Sequence, residues 1–171
     1  MRSVSGKPAV PSAPSAQTAP GPPPLRPFGL VLHHDGRFSH DGSPIRNRRL
    51  RALFDRAVEF LPDEGKYIVR LKHFRAQIEV EEAGFFVRSI DLAGGEITIS
   101  DGTRERLEVS TLTESPIDGA LLCRIKRERV AGGLPARFTH SAQAEFLLAI
   151  DSEADRYVVS MGGERVVVPE F

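Results

Sequence analysis

A single cysteine, Cys123, rules out an internal disulfide framework and fits a reducing cytoplasm. It lies in the apolar run Ala120-Leu121-Leu122-Cys123, which reads as a core thiol and not a nucleophile. No apolar stretch approaches the ~20 residues that cross a bilayer, and none has the form of a secretory signal, so no membrane association is expected. There is no net charge either, with 23 bases against 23 acids. Because Arg2, Lys7 and Arg26 fall in the first 27 residues, which hold no acid, the remainder carries 20 bases against 23 acids. Such a mildly acidic domain lacks the basic face that nucleic-acid phosphates demand, and nucleic acid is not an expected partner. Glycine-rich phosphate loops, His-Glu-x-x-His and Cys-x-x-Cys are missing, and Ser43, Ser160 and His140 compose no nucleophile motif. No catalytic residue, metal site or cofactor is therefore assigned.

What is present divides into a tail and a repeated unit. Residues 1–27 are rich in Pro, Ala and Ser, and such a segment buries too little surface to offset its ordering entropy, so it reads as a disordered or polyproline-like tail. From Pro44 the chain runs Pro-Ile-Arg, a helical stretch Asn47 to Leu61, a polar turn, and strand-like runs Gly65 to Leu71 and Ala76 to Val80. From Pro135 it runs Pro-Ala-Arg, a helical stretch Thr139 to Ile150, a polar turn, and runs Asp155 to Met161 and Glu164 to Val168. The only two tyrosines, Tyr67 and Tyr157, are 90 positions apart, as are Arg75 and Arg165. This register points to duplication of one helix-then-hairpin unit.

The helices show apolar residues at 3.6-residue spacing: Leu50, Leu53, Phe54, Ala57, Val58 and Leu61 in the first, Ala142, Phe146, Leu147 and Ile150 in the second. Asn47 and Thr139 are candidate N-caps, with Ser43 before Pro44 as an alternative start. Asp35-Gly36, Gly94-Gly95, Asp101-Gly102 and Gly162-Gly163 mark tight hairpin turns. They delimit a hairpin at 30–40 and a meander of Phe85 to Leu92, Glu96 to Ser100 and Arg104 to Val109, with a further long strand at Leu121 to Arg129. The expected class is α+β, mostly antiparallel sheet with two helices in two related lobes, 28–92 and 93–171.

At Asp41-Gly42-Ser43-Pro44-Ile45-Arg46 followed by Leu50 and Leu53-Phe54, and again at Ile78-Glu79-Val80-Glu81-Glu82-Ala83 with Phe85, the chain resembles the bacterial domain-of-unknown-function family 1285. Gly133-Leu134 with Ala136-Arg137, and Ser160 with Gly162, are weaker echoes. The likeness covers residues 28–168 and implies an α+β protein of two related lobes, an unassigned activity and a place in bacterial signal transduction. Leu71-Lys72-His73-Phe74-Arg75 stands where the family tends to carry Thr-Pro-x-Glu-Lys, and Gly84 where it has Pro.

The oddest charge pattern is Arg46, Arg48, Arg49 and Arg51 around the first helix start. That end of a helix is already partially positive, so clustered arginine there suits a bound anion. A solvated face paired with Glu59, Asp63 or Glu79-Glu81-Glu82 is the plainer alternative. His33, His34, Asp35, His40 and Asp41 offer metal-ligand types, but their spacing matches no standard site. Alternation puts Glu79 and Glu81 outward and Ile78 and Val80 inward, and it buries only one of Phe85 and Phe86. The expectation is a non-enzymatic, cytoplasmic ligand-sensing or interaction module, with an anion or acidic partner at Arg46, Arg48, Arg49 and Arg75. Two alternatives are an enzyme using Glu79 and Glu82 with His73, and an adaptor recognised through its proline-rich tail.

Overall fold

The computed structural model describes residues 25–72 and 74–170. The expected tail lies, up to residue 24, outside the described residues, as does His73. Strands β1 (Pro27–Leu32), β2 (Phe38–His40) and β3 (Ser43–Pro44) precede helix α1 (Arg48–Ala57), which leads into β4 (Val58–Leu61), β5 (Lys66–Leu71) and β6 (Phe74–Val80). Then come β7 (Phe85–Asp91), β8 (Glu96–Ile99), β9 (Arg104–Arg106), a 3-10 turn at Val109–Thr111, β10 (Thr113–Glu114), β11 (Leu121–Ile125) and β12 (Leu134–Phe138). Helix α2 (His140–Leu148) and strands β13 (Ile150–Glu153), β14 (Arg156–Met161) and β15 (Glu164–Val167) complete the chain. Among the described residues no helix is long and apolar enough to cross a membrane.

The strands form two six-stranded sheets, ordered β3-β2-β1-β6-β5-β4 and β10-β11-β12-β7-β8-β9, and a three-stranded sheet β13-β14-β15. All neighbours are antiparallel except β1 with β6 and β12 with β7. The class is α+β, as the sequence predicts. The connector between β6 and β7, residues 81–84, is where the chain passes from the first sheet to the second, so β7 leaves the expected first lobe to pair with β8 and β12.

The two units are consistent with a duplication, with a first hairpin turn of four residues between Leu61 and Lys66 and of two between Glu153 and Arg156. Each helix is followed by a three-stranded meander, with Tyr67 and Tyr157 both second in the central strand. Val69 pairs Val58 and Ala76 in the first meander, and Val159 pairs Ile150 and Val166 in the second. The burial of the two tyrosines differs. Tyr67 faces Phe60 across the ladder and Phe85 from the next sheet, at ring distances of 4.9 and 6.1 Å. Tyr157 faces Ser152 and is 58% exposed, with no aromatic ring packed on it among the described residues. The Tyr67 ring also explains Gly84, where an added Cβ would stand 2.2 Å from the Tyr67 Cε1.

Three local expectations are corrected. The first helix stops at Ala57 instead of Leu61, because Val58 to Leu61 bond into the sheet against β5, and tertiary pairing overrides the helical pattern. Likewise α2 ends at Leu148, and Ile150 begins a strand. The strand at Leu121 stops at Ile125, where Lys126 takes a φ of 54°, and the chain returns as β12, a strand absent from the sequence reading. Ser43 and Pro44 form an edge strand, and Asn47 is the N-cap, accepting from the Arg49 and Leu50 N–H groups.

One continuous core joins the sheets and helices. Phe54 is buried with its ring centroid 5.5 Å from Phe38, whereas Leu53, 48% exposed, is not a core residue. Phe85 and Phe86 are both buried, since the two faces of β7 are each covered. Cys123 is buried, which pushes its thiol up to about 12, aided by the charge of Glu105. Phe54→Ala is expected to cost roughly 3–5 kcal/mol in urea unfolding, while Leu53→Ala stays within about 1 kcal/mol. Equal losses would mean that the buried face of α1 is misassigned.

Candidate functional site

Helix α1 turns a stripe of Arg48, Arg51, Ala52 and Asp55, spaced i, i+3, i+4 and i+7, toward an open cavity of about 530 Å³. The second wall is the β1–β2 turn from His34 to Arg37, fixed by the Asp35 carboxylate, which accepts the Arg37 N–H at 2.9 Å. Phe86 and Arg88 of β7 form the third wall. The fourth is the junction of β12 and α2, where Arg137 and Phe138 give way to the N-cap Thr139 and to His140. The Thr139 hydroxyl donates to the Val87 carbonyl at 2.9 Å, which seats the start of α2 on the central strand. The N–H groups of His140 and Ser141 have no intrahelical acceptor by their position, and no acid occupies this first turn. The cavity therefore meets the positive end of a helix dipole.

Five arginines and three aspartates line this space, a net of +2 with histidine neutral. Arg88 binds Asp55, Arg37 lies 3.3 Å from Asp35, and Arg137 binds Asp118. Arg48 and Arg51 have no ion-pair partner among the described residues, and the Arg51 Nε is buried without a hydrogen bond. Burial pushes the Asp55 carboxyl up, against the opposing pull of Arg88 and Arg51.

Among the described residues Arg137 is the one buried cation, 4% exposed. Its Nη1 donates to Glu82 at 2.5 Å and to Ser115 at 3.2 Å, and its Nη2 to Asp118. Burial opposes its charge, but the bonds to Asp118 and Glu82 outweigh this and hold its pKa above the usual value. The same bond to Arg137 holds the Asp118 carboxyl below the usual range.

Of the four arginines expected from the sequence, Arg48 lines the cavity. Arg46 and Arg49 are exposed outside its lining, and Arg75, on β6, donates to Glu64 at 3.1 Å with its Nε buried and unpartnered. Glu79 points to solvent, whereas Glu82 turns inward to Arg137, so these two carboxylates do not share a site. Glu81 holds two histidines: one oxygen meets His33 Nδ1 at 2.7 Å, and the other meets His34 Nδ1 at 2.8 Å and accepts the His34 N–H at 2.9 Å. His40 lies apart, 3.7 Å from Asp41. Among the described residues no group of three or more His, Cys, Asp or Glu side chains is placed to hold a metal. The sequence reading missed Arg51 as a site residue, Arg88, and the arrival of the α2 N-terminus. Helical spacing from Arg48 to Asp55 carries part of that signal, but nothing local announces that α2 faces α1.

This architecture is similar to that of a solved DUF1285 family protein from Silicibacter pomeroyi DSS-3, with a TM-score of 0.56 and 17% identity over 90% of each chain. A DUF1285 family protein from Shewanella baltica OS155 aligns with a TM-score of 0.47 and 14% identity, over 71% of this chain and 91% of that one. No family model and no curated protein matches the sequence. The chain thus has a DUF1285-like fold, and the resemblance seen at Asp41 to Arg46 and Ile78 to Ala83 extends to the whole architecture.

The Glu81 clasp carries a pH signature. Its carboxyl is lowered from 4.5 to about 2, first by the His34 N–H and then by the His33 and His34 rings. A lowered acid stabilises the fold above its unfolded pKa and loses that contribution as pH falls through the folded value. In urea titrations the gap between the native chain and Glu81→Gln should shrink as pH falls below 4.5 and close near 2. A gap independent of pH would show that the clasp does not form.

Proposed function

We propose that this chain is a non-enzymatic, ligand-sensing module of bacterial signal transduction, acting in the cytoplasm, and that it binds a small anionic ligand in the cavity between α1 and the start of α2. The observation that carries the reading is the pair Arg48 and Arg51, two cations lining the cavity without an ion pair among the described residues, opposite a helix N-terminus, in a lining whose arginines outnumber its aspartates five to three. A phosphate or carboxylate group would meet the Arg48 and Arg51 guanidinium groups and the free N–H groups of α2 together, and guanidinium groups suit such planar, multidentate contacts. Arg88 and Arg37, neutralised by Asp55 and Asp35, would orient the ligand and not attract it. The signalling role is supported by the family resemblance alone, and the cytoplasmic setting by the single thiol.

A ligand that binds only the folded state raises stability by mass action, about 2.7 kcal/mol at a hundredfold excess over Kd. Thermal melts with inorganic phosphate, pyrophosphate, nucleoside monophosphates and small dicarboxylates are expected to show a rise in Tm for at least one anion. Arg48→Gln with Arg51→Gln should abolish that rise, and Arg46→Gln with Arg49→Gln should preserve it. If no anion raises Tm, or the first double variant responds fully, the proposal fails.

A further inference from the structure

On the rim of the second sheet, away from α1 and α2, a groove of about 480 Å³ runs between β9 and the segment from Arg124 to Arg129. Strand β9 closes its sheet and pairs with β8 alone. The bonds from Ile99 N–H to the Thr103 carbonyl and from Leu107 N–H to the Gly95 carbonyl show that positions 103 and 107 face β8. Antiparallel alternation then sends the backbone N–H and C=O groups of Arg104 and Arg106 outward, into the groove, as an unused strand edge. The opposite wall supplies Arg124, Arg127 and Arg129. Arg127 is 3.2 Å from Glu108, but Arg124 and Arg129 are exposed and have no ion-pair partner among the described residues. Lys126 sits between two acids at the floor, where its N–H donates to Glu105 at 2.7 Å, and its Nζ donates to Asp101 at 2.7 Å and lies 3.6 Å from Glu105.

We infer that this groove docks an acidic, extended segment of a partner protein, which adds to β9 as a further strand. Two features act together. The outward edge of β9 offers backbone hydrogen bonds to any extended chain, and alternate carboxylates of that chain would reach Arg124 and Arg129 across the groove. Arginine on an edge strand also blunts unwanted pairing, which would account for Arg104 and Arg106 on their own. It does not account for two unpaired arginines on the facing wall. A nucleic-acid strand fits less well, because no aromatic side chain lines the groove for base stacking.

The test uses the full chain and a fluorescein-labelled peptide Glu-Val-Glu-Val-Glu-Val-Glu, with a counterpart in which every Glu is Lys. Fluorescence anisotropy should show saturable binding of the acidic peptide alone, weakened about tenfold between roughly 0.05 and 0.5 M salt. Arg124→Glu with Arg129→Glu should remove it, and Arg48→Gln with Arg51→Gln should leave it unchanged, which separates this groove from the cavity beside α1. Hydrogen exchange of the native chain supplies a readout without mutation: the Arg104 and Arg106 amides should gain protection when the peptide binds. Equal binding of the lysine peptide, full binding by the Arg124/Arg129 variant, unchanged exchange at Arg104 and Arg106, or displacement of the peptide by a single-stranded oligonucleotide would each overturn the inference.

Discussion

A guanidinium taken almost wholly out of water is the constraint on which this molecule turns. Arg137 sits on β12, and its partners Glu82, Ser115 and Asp118 lie 55, 22 and 19 positions away in the chain. Glu82 belongs to the connector that passes from the first sheet to the second, while Ser115 and Asp118 belong to the turn that leads into β11. Desolvating such a charge costs several kcal/mol unless geometry and counter-charge repay it, so the three segments must arrive together or the fold carries an uncompensated cation. The same side chain lines the cavity beside α1. Folding and site geometry therefore share one set of bonds.

The repeat explains how a site arises on only one side of a duplicated scaffold. Both units keep helix, three strands and register, down to Arg75 opposite Arg70 and Arg165 opposite Ser160. What differs is the surrounding material. In the first unit β6 is flanked by β1, and the meander is capped by Phe85, so that Tyr67 is covered and α1 can turn its arginine stripe toward the second half. In the second unit the meander is a separate three-stranded sheet, and the contribution of α2 to the cavity is its N-terminal end instead of a face. The cavity is thus an asymmetric product of the two units: cations from one helix, a dipole from the other.

Much of the architecture is legible in the sequence because it rests on local signals. The Asn47 and Thr139 caps and the Asp-Gly and Gly-Gly turns each act within a few residues and predict the observed elements, and the tyrosine register, 90 positions long, marks the equivalent central strands because each strand is itself locally patterned. The failures have a common cause. Val58 to Leu61 continue a helical pattern but are captured by β5, and β12 hides behind Pro135 because its neighbours are β11 and, far away in sequence, β7. The candidate site shows the same division. Arg48 is visible as part of a basic cluster, whereas Arg88, Asp118 and the buried role of Arg137 depend on pairings that only the folded chain makes. Arg46 and Arg49, equally conspicuous in sequence, face solvent, since charge density along the chain does not specify direction around a helix.

The dependence on Arg137 is open to a direct test by a double-mutant cycle in urea unfolding with Arg137→Met, Glu82→Leu and the combination. Arg137→Met alone is expected to cost about 3–5 kcal/mol, because the desolvated Glu82 carboxylate loses its cation and keeps only the Ser115 hydroxyl, and most of the loss should be recovered when both are replaced by apolar groups of similar size. Additive losses, with the double variant as unstable as the two singles together, would contradict it, for then the buried pair would not be the tie between the two sheets.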